Sequence, residues 1–402
     1  MDMTPQSSEE SFDVLIVGGG NAGISVAARL LRRGVQSVAV VEPLAVHTYR
    51  PMLSYVGGGQ ASLSSAERAQ TAVTPDGCTW LQDSAVAVDV QAKTIQCTSG
   101  RTYGYDDIVL APGLVPDEAA LAGVAAALDT PAVASNYLNH AEKTWQLVQS
   151  IDSGRAVFTV PRPPVSCTGT TLKPLFLAVA HWRRAGRLTD IDITLIVDRP
   201  NLLGVREIDN GLRHRLDEIG VRLLDNATVT ALHPAEQHIS VTTSGGADRR
   251  IAYDALHLVP PFRGPRWIES SGLAGDAAHG LVDIDAQTFR HRVHPNVWAL
   301  GDAANVAIDP SGGAIRRQSA ILVNNLMAAR NGGRFNHYDG YTVAPIATDA
   351  HHLIFGEFDR NGTVKSSLPS FIDPLKPRRT AWAFDRYGLP LMYWNLILKG
   401  RL

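Results

Sequence analysis

The sequence predicts an α/β protein: two tandem Rossmann-like dinucleotide-binding units followed by a short C-terminal region. Three observations predict it. A run of β-formers, Phe12–Val17, ends in Gly18-Gly19-Gly20, and a small-residue helical pattern starts at once. A second strand pattern, Ser37–Val41, ends in Glu42, roughly 20 residues beyond the glycines. Strand and helix patterns alternate again after Thr130, with strands at Arg155–Val160 and Ile191–Val197 and a helix at Asp209–Ile219.

Gly18, Gly20 and Gly23 fit G-x-G-x-x-G in the context that gives the motif meaning, a strand before and a helix after. Gly18 makes the tight turn and Gly20 lets the backbone approach a pyrophosphate. Gly23 lets the helix pack closely on the strand. Asn21 and Ala22 complete the loop, and the helix N-terminus offers unpaired N–H groups to phosphate. The helix, read as Ile24–Arg33, ends at Gly34, and Glu42 stands where a ribose hydroxyl partner is expected. After Glu42-Pro43 a loop carries His47, Tyr49 and Arg50, placed at the carboxyl edge of the sheet where ligands bind in such folds.

Strands are predicted at Ala85–Val90, Thr94–Thr98 and Tyr105–Leu110, the last running into Ala111-Pro112-Gly113. The second unit starts with a helix over Tyr137–Ile151. Polar β segments at Thr228–His233 and His238–Thr243 form a meander, and Ala255–Val259 is a further strand. Asn296–Leu300 returns to strand character before Gly301-Asp302, and a helix spans Arg316–Arg330. The expected organisation is a discontinuous first domain, 11–125 with 284–335, a second domain over 126–283, and a C-terminal region over 336–402.

The second unit differs from the first where it matters. Its first strand runs into Pro161-Arg162-Pro163-Pro164-Val165-Ser166-Cys167 rather than a glycine turn. Proline has no N–H to offer a phosphate, so a nicotinamide dinucleotide is not expected there.

A chain of 402 residues with formal net charge −2 gives no electrostatic reason to propose nucleic acid as a partner. The polar, acidic Met1–Ser11 is not a secretory signal, and no apolar run reaches bilayer length. Cys78, Cys97 and Cys167 are too few for a disulfide scaffold and lack metal-ligand spacing, so a reducing, cytoplasmic setting is the default and no metal is expected. Spread-out His, Asp and Glu give no metal constellation, and no G-x-S-x-G marks a hydrolase. His291 and His294 read as edge or core histidines, and the pairs Arg183/Arg184 and Arg316/Arg317 as solvated helix faces.

With the Val17–Gly23 turn, Val41-Glu42-Pro43, the His47–Pro51 loop, Phe158–Pro161, the Cys167 turn, Pro295–Asp302 and Gln318-Ser319 assembled, the chain resembles the sulfide:quinone oxidoreductases. The nearer match is the branch that includes the mitochondrial enzymes, within the glutathione-reductase-like flavoproteins with two dinucleotide-binding domains. The resemblance runs nearly the whole chain in order. It implies one FAD, with adenine and pyrophosphate on Gly18, Gly20, Asn21, Ala22 and Gly23 and the adenosine ribose on Glu42-Pro43. Gly301-Asp302 would approach the ribityl–phosphate portion, the start of the helix at Gln318 would approach the flavin ring, and Tyr49 and Gly113 would line the site.

It further implies sulfide or a small thiol as donor and a quinone as acceptor. In the family two redox cysteines form a disulfide beside the flavin; Cys167 matches one of them, and Ala303 stands in place of the other. Alanine cannot accept a sulfane sulfur, so a flavin oxidoreductase with a different donor, or an FAD-binding protein without turnover, are the alternatives. A pattern of Pro-rich turn, Cys167, Thr168-Gly169 and helix places the thiol near a helix N-terminus, where thiolate is favoured. The apolar Leu389–Lys399 is only ~16 Å long as a helix against a hydrocarbon core of ~30 Å. It would lie in the membrane interface, on the inner face, or dock on the protein's own core.

Overall fold

The computed structural model describes residues 10–366 and 373–402. The start of the polar N-terminal stretch and residues 367–372 of the C-terminal region lie outside them.

The first strand, β1 (Glu10–Val17), is buried throughout Val14–Val17, as a strand covered on both faces must be. Helix α1 (Asn21–Arg32) buries Gly23, Ile24, Val26, Ala27 and Leu30 and carries Arg29 and Arg32 in its last turn, where cations complement the helix dipole. Gly34 then turns the chain in the left-handed region, at φ 86°. Strands β2 (Val38–Val41), β3 (Cys78–Leu81), β4 (Ala85–Asp89), β5 (Thr94–Cys97) and β6 (Thr102–Leu110) follow. Their order in the first sheet is β3-β2-β1-β6-β5-β4. β1, β2, β3 and β6 run parallel, whereas β4 and β5 form an antiparallel flap on the far end of β6.

The chain then leaves for a second sheet. Strand β7 (Val133–Ala134) precedes helix α2 (Ala141–Ser150), which begins at Ala141 rather than Tyr137. Asn139 takes φ 63°, and that left-handed residue breaks the helical run before His140 caps it. β8 (Gly154–Val160) leads through the proline loop to α3 (Thr168–Thr171) and α4 (Lys173–Arg184). β9 (Ile191–Val197), α5 (Arg206–Glu218) and β10 (Arg222–Leu224) complete a βαβαβ path. A meander of β11 (Ala227–His233), β12 (His238–Thr243) and β13 (Asp248–Ala252) covers one side, with one more strand than the sequence suggested. β14 (Ala255–His257) re-enters the sheet, whose order β7-β14-β8-β9-β10 is parallel throughout.

The chain returns to the first sheet with β15 (Val297–Ala299), parallel to Ile108–Leu110 of β6. Helix α6 (Ile315–Asn331) lies against α1. The described fold is therefore two tandem Rossmann-like units, the first discontinuous in sequence. Each has its own core: Leu15, Ile16, Val40, Ile108, Trp298 and Leu326 in one, Phe158, Leu175, Phe176, Trp182, Leu195 and Ile208 in the other. A hairpin, β16 (Thr342–Ala347) with β17 (Leu353–Phe358), packs on the second core through Ala344 and Ile346.

The C-terminal stretch is helical, with α-turns at Arg379–Ala383 and Leu389–Met392 and wider π turns at Phe384–Gly388 and Tyr393–Ile397. Tyr393, Ile397 and Leu398 are buried against Tyr49, Leu53, Tyr55 and Ile24, so this face docks on the protein. Phe384, Tyr387 and Leu391 are exposed on the same stretch.

Candidate functional site

At the carboxyl end of β1 the chain turns through Gly18 at φ 100°. A Cβ on Gly18 would lie 2.3 Å from the Ala111 carbonyl oxygen, and one on Gly23 only 1.9 Å from the Gly18 carbonyl oxygen. Both glycines are demanded by close backbone packing. Gly20 differs: a Cβ there would meet nothing within 4 Å, so its surface is open for an approaching group. Gly19 N donates to Glu42 Oε2 at 2.8 Å, and Leu44 N donates to Glu42 Oε1 at 2.9 Å. Glu42 is thus fixed across the loop from the glycines, with lone pairs remaining on a carboxylate that has about four acceptor sites. Pro43 follows on the rim, its carbonyl accepting from Gln82 Nε2 at 3.4 Å. Gly113 lies beyond β6 at φ 72°, also facing open space.

The turn after β15 closes the cradle. A Cβ on Gly301 would meet Ala22 Cβ at 3.4 Å, so this turn and the start of α1 face each other. Gly301 N donates to Gln318 Oε1 at 3.1 Å, and Gln318 Nε2 reaches Tyr338 Oη at 3.5 Å. Gln318 is buried with both ends engaged inside the protein, which makes it a brace for the Gly301 turn. Asn21 Nδ2 donates to the Gly312 carbonyl at 3.2 Å, tying α1 to the loop before α6.

The second unit contributes the sulfur. Cys167 sits at φ 53°, a left-handed conformation unusual for a side chain with a Cβ, and its N–H donates to the Pro310 carbonyl at 2.9 Å. Strain of this kind concentrates at functional sites. Thr170 Oγ1 donates to Cys167 Sγ at 3.1 Å. Burial pushes the Cys167 thiol up, and the Thr170 hydroxyl and the Lys173 charge pull it back only in part. The expected depression at a helix N-terminus does not appear: α3 has four residues, too few for a useful dipole, and desolvation of the thiolate wins.

Around this sulfur the structure collects groups from four separate parts of the chain. Burial raises the Asp302 carboxyl, while the Ser166 hydroxyl and the Arg50 guanidinium favour its charged form. Arg50 Nη2 donates to the Tyr137 carbonyl at 2.5 Å, and Tyr137 Oη donates to the carbonyls of Ser166 and Cys167 at 3.1 and 3.3 Å. Tyr49 is buried, its ring 4.4 Å from that of Tyr393, and burial, then Asp385, Tyr393 and Cys167, raise its hydroxyl. His47 bridges Gly19 O at 2.9 Å and Tyr393 Oη at 2.6 Å, so it links the glycine loop to the C-terminal stretch. Of the predicted residues, Glu42 is bonded to the glycine loop, Gly301 faces Ala22 and is bonded to Gln318, and the charge of Asp302 acts on the Cys167 thiol.

Sequence reasoning missed a buried ion pair beside the sulfur. Lys173 Nζ lies 2.6 Å from Asp385 Oδ2, with both side chains almost fully buried, and Tyr55 Oη donates to the same oxygen at 2.6 Å. Lys173 begins α4 ahead of the apolar run Pro174–Ala180, and a lone lysine among Leu172, Pro174, Leu175 and Phe176 was the available signal.

The model of the pyridine nucleotide-disulphide oxidoreductase family matches residues 12–331. Mouse mitochondrial sulfide:quinone oxidoreductase is 31% identical over 399 residues, covering 98% of this chain and 88% of the mouse protein. The chain belongs to the pyridine nucleotide-disulphide oxidoreductase family, in its sulfide:quinone oxidoreductase branch. Two solved structures share the fold. A chain of the Tetrahymena thermophila mitochondrial ATP synthase superposes with TM-score 0.84 at 19% identity, covering 100% of this chain and 99% of that one. The sulfide:quinone oxidoreductase of the hyperthermophilic bacterium Aquifex aeolicus superposes with TM-score 0.79 at 17% identity, covering 97% and 92%.

Family membership makes the protein an oxidoreductase and directs attention to sulfur. All three cysteines are free. Cys78 and Cys97 lie in the first sheet, where burial pushes their thiols up to about 12 and about 11. Ala303 is fully buried in the first core, its carbonyl accepting from Val282 N at 2.8 Å. It packs, and offers no sulfur to Cys167.

The corresponding place in the second unit has no glycine turn. A cavity of ≈250 Å³ opens beyond β8 and β9, but Arg162 holds Asp198 there with two hydrogen bonds, Nε–Oδ2 2.8 Å and Nη2–Oδ1 3.0 Å. Thr228 Oγ1 donates to Asp198 Oδ1 at 2.6 Å. The spacing-based expectation of no metal cluster meets one juxtaposition: among the described residues His233, Glu236 and His238 gather at the β11–β12 turn. Arg250 Nη2 already stands 3.2 Å from Glu236 and 3.3 Å from His238, so a cation is supplied by the chain. His291 is buried, bonded to the Leu273 carbonyl at 3.1 Å, as a core histidine. Among the described residues no helix is long and apolar enough to cross a membrane.

Proposed function

We propose that this protein is an FAD-dependent oxidoreductase that passes electrons from sulfide, or a related thiol or persulfide, to a quinone. The observation that carries the reading is Cys167, held at φ 53° with its N–H on the Pro310 carbonyl and its thiol within reach of the Asp302 charge, in a chain 31% identical to a sulfide:quinone oxidoreductase over nearly its full length.

The residues fit FAD on their own geometry. Gly20 and Gly113 leave open surface, α1 presents its N-terminus, and Glu42 stands fixed beside the loop. Gly18, Gly20, Asn21, Ala22 and Gly23 would hold the pyrophosphate, and Glu42 with Pro43 the adenosine ribose. Gly301 and Asp302 would meet the ribityl–phosphate portion, with Gln318 bracing that turn and Tyr49 walling the ring side. FAD supplies a two-electron carrier between donor and quinone.

Cys167 would be the sulfur that meets the donor. Burial raises its thiol, so Thr170, Lys173 and approaching charge would decide its reactivity. Because Ala303 is a packing residue, a small thiol from solution would supply the second sulfur. The C-terminal stretch would present Phe384, Tyr387 and Leu391, 45%, 56% and 65% exposed, to the surface of a quinone-bearing membrane. A cytoplasmic position on its inner face belongs to the same reading. NADH is not the donor in this scheme, because Pro161–Pro164 and the Arg162–Asp198 clamp take the place of a phosphate cradle.

The test is anaerobic titration of the FAD-loaded protein with sulfide, then a short-chain quinone. Bleaching of the flavin by sulfide and its return on adding quinone is the expected result. A flavin that stays oxidised in sulfide, with and without a small thiol, would refute the proposal.

A further inference from the structure

Arg199 follows β9, and its side chain is only 9% exposed. Nη1 donates to Asp309 Oδ2 at 3.3 Å. Nε and Nη2 are fully buried and have no hydrogen-bond partner. A buried guanidinium with two unmet N–H groups is an expensive arrangement, because these donors give up water and receive nothing. The side chain lines a cavity of ≈150 Å³ together with Leu203, Gly204, Val205, Asp309 and Arg360.

The unmet groups are the two that form one edge of the guanidinium fork. Elsewhere in this molecule that same edge grips a carboxylate. Arg162 uses Nε and Nη2 on Asp198 at 2.8 and 3.0 Å, and Arg155 uses them on Asp254 at 3.0 and 3.3 Å. Planar, two-point recognition of an oxyanion is what this edge does best.

The carboxylates of the cavity wall are engaged. Asp309 takes Arg199 Nη1, and Asp359 takes Lys365 at 3.1 Å with the N–H groups of Asn361 and Thr363. Arg360 adds a second positive charge while its Nη2 donates to the carbonyls of Ala286 and Tyr338, both at 3.2 Å. At ~30 Å³ of liquid volume per water, the cavity has room for a few water-sized groups, enough for a small anion and far too little for a dinucleotide.

We propose that this pocket binds a small oxyanion or carboxylate on the Nε–Nη2 edge of Arg199. The site lies beside the sulfur: Asp309 precedes Pro310, whose carbonyl accepts the Cys167 N–H. An anion held there would add negative charge behind the Cys167 turn and disfavour its thiolate. The inference rests on Arg199 and its cavity and stands independently of the donor and acceptor proposed above.

Isothermal titration of the FAD-loaded protein with sulfate and with acetate, in chloride buffer of matched ionic strength, tests it. One saturable site per chain is expected for at least one of the two probes. Tighter sulfate marks a tetrahedral oxyanion as the ligand type, and tighter acetate a carboxylate. Arg199→Lys keeps the charge and loses the fork, so binding should weaken by at least about tenfold. Asp309→Asn removes the competing carboxylate, so binding should tighten, a change that a purely structural role for Arg199 would not produce. Arg162→Gln, whose edge is already filled, should leave the affinity unchanged. No saturable site in the wild-type protein, or the same affinity in Arg199→Lys, would overturn the proposal.

Discussion

The loops that follow the first strand of each unit make opposite use of the same fold. After β1 the chain passes through Gly18, Gly20 and Gly23, leaves open surface over Gly20, and holds Glu42 by backbone N–H groups. After β8 it passes through prolines, and the acid in the matching place, Asp198, is clamped by Arg162 and Thr228. On the proposed reading one loop would receive a phosphate, and the other would bring Cys167 toward it. A duplicated nucleotide-binding architecture thus becomes one cradle and one arm that carries a sulfur.

Breaking the arm or the cradle should give large effects of different kinds. Cys167→Ser should lower the rate of sulfide-driven flavin reduction by roughly 10²-fold or more, as loss of a reacting nucleophile does, and leave bound FAD in place. Rapid-mixing absorbance and the flavin-to-protein ratio read the two quantities separately. Lys173→Met strands Asp385 without its partner in a fully buried site, so stability should fall by about 3–5 kcal/mol in urea unfolding. Gly23→Ala drives a Cβ into the Gly18 carbonyl and should cost about 1–3 kcal/mol, with loss of FAD during purification.

Much of the cradle was legible in the sequence because its signals are local. The strand pattern into Gly18, the small residues of α1 and the acid after β2 each sit within one turn or strand of what they serve. The parallel second sheet and the meander were legible for the same reason. The environment of the sulfur was not. Lys173 and Asp385 are 212 residues apart, and Arg50 and Tyr137 are 87 apart; no periodicity links them. The Cys167 thiol was misread because the sequence shows a helix start but not its length, and it does not show how deeply the turn is buried. Tyr49 and Gln318 entered through the resemblance, and their engagement with Tyr393 and Gly301 needed the fold.

Smaller effects sharpen the same contrast. Alkylation of Cys167 in the ligand-free protein should accelerate with rising pH and reach its midpoint above that of an ordinary thiol, since burial raises the pKa and the thiolate appears only at higher pH. Mass spectrometry of iodoacetamide adducts across a pH series measures it; a midpoint below the ordinary value would show that Lys173 and Thr170 outweigh burial. Arg162→Gly opens the clamp in the second unit. Arg162 is more than half exposed, so the stability change should stay within about 0–1 kcal/mol, and NADH should still fail to reduce the flavin because the prolines remain. Gain of NADH-driven reduction in that variant would assign the exclusion to the clamp alone.

The central claim is that electrons enter through the arm, at Cys167, and not through a nucleotide in the second unit. Anaerobic stopped-flow with the FAD-loaded protein decides it by presenting sulfide, with and without a small thiol, and NADH in parallel. The account predicts rapid flavin bleaching by sulfide that depends on Cys167, and no bleaching by NADH on the same timescale. Bleaching by NADH at a comparable rate, or by sulfide at an unchanged rate in Cys167→Ser, would contradict it.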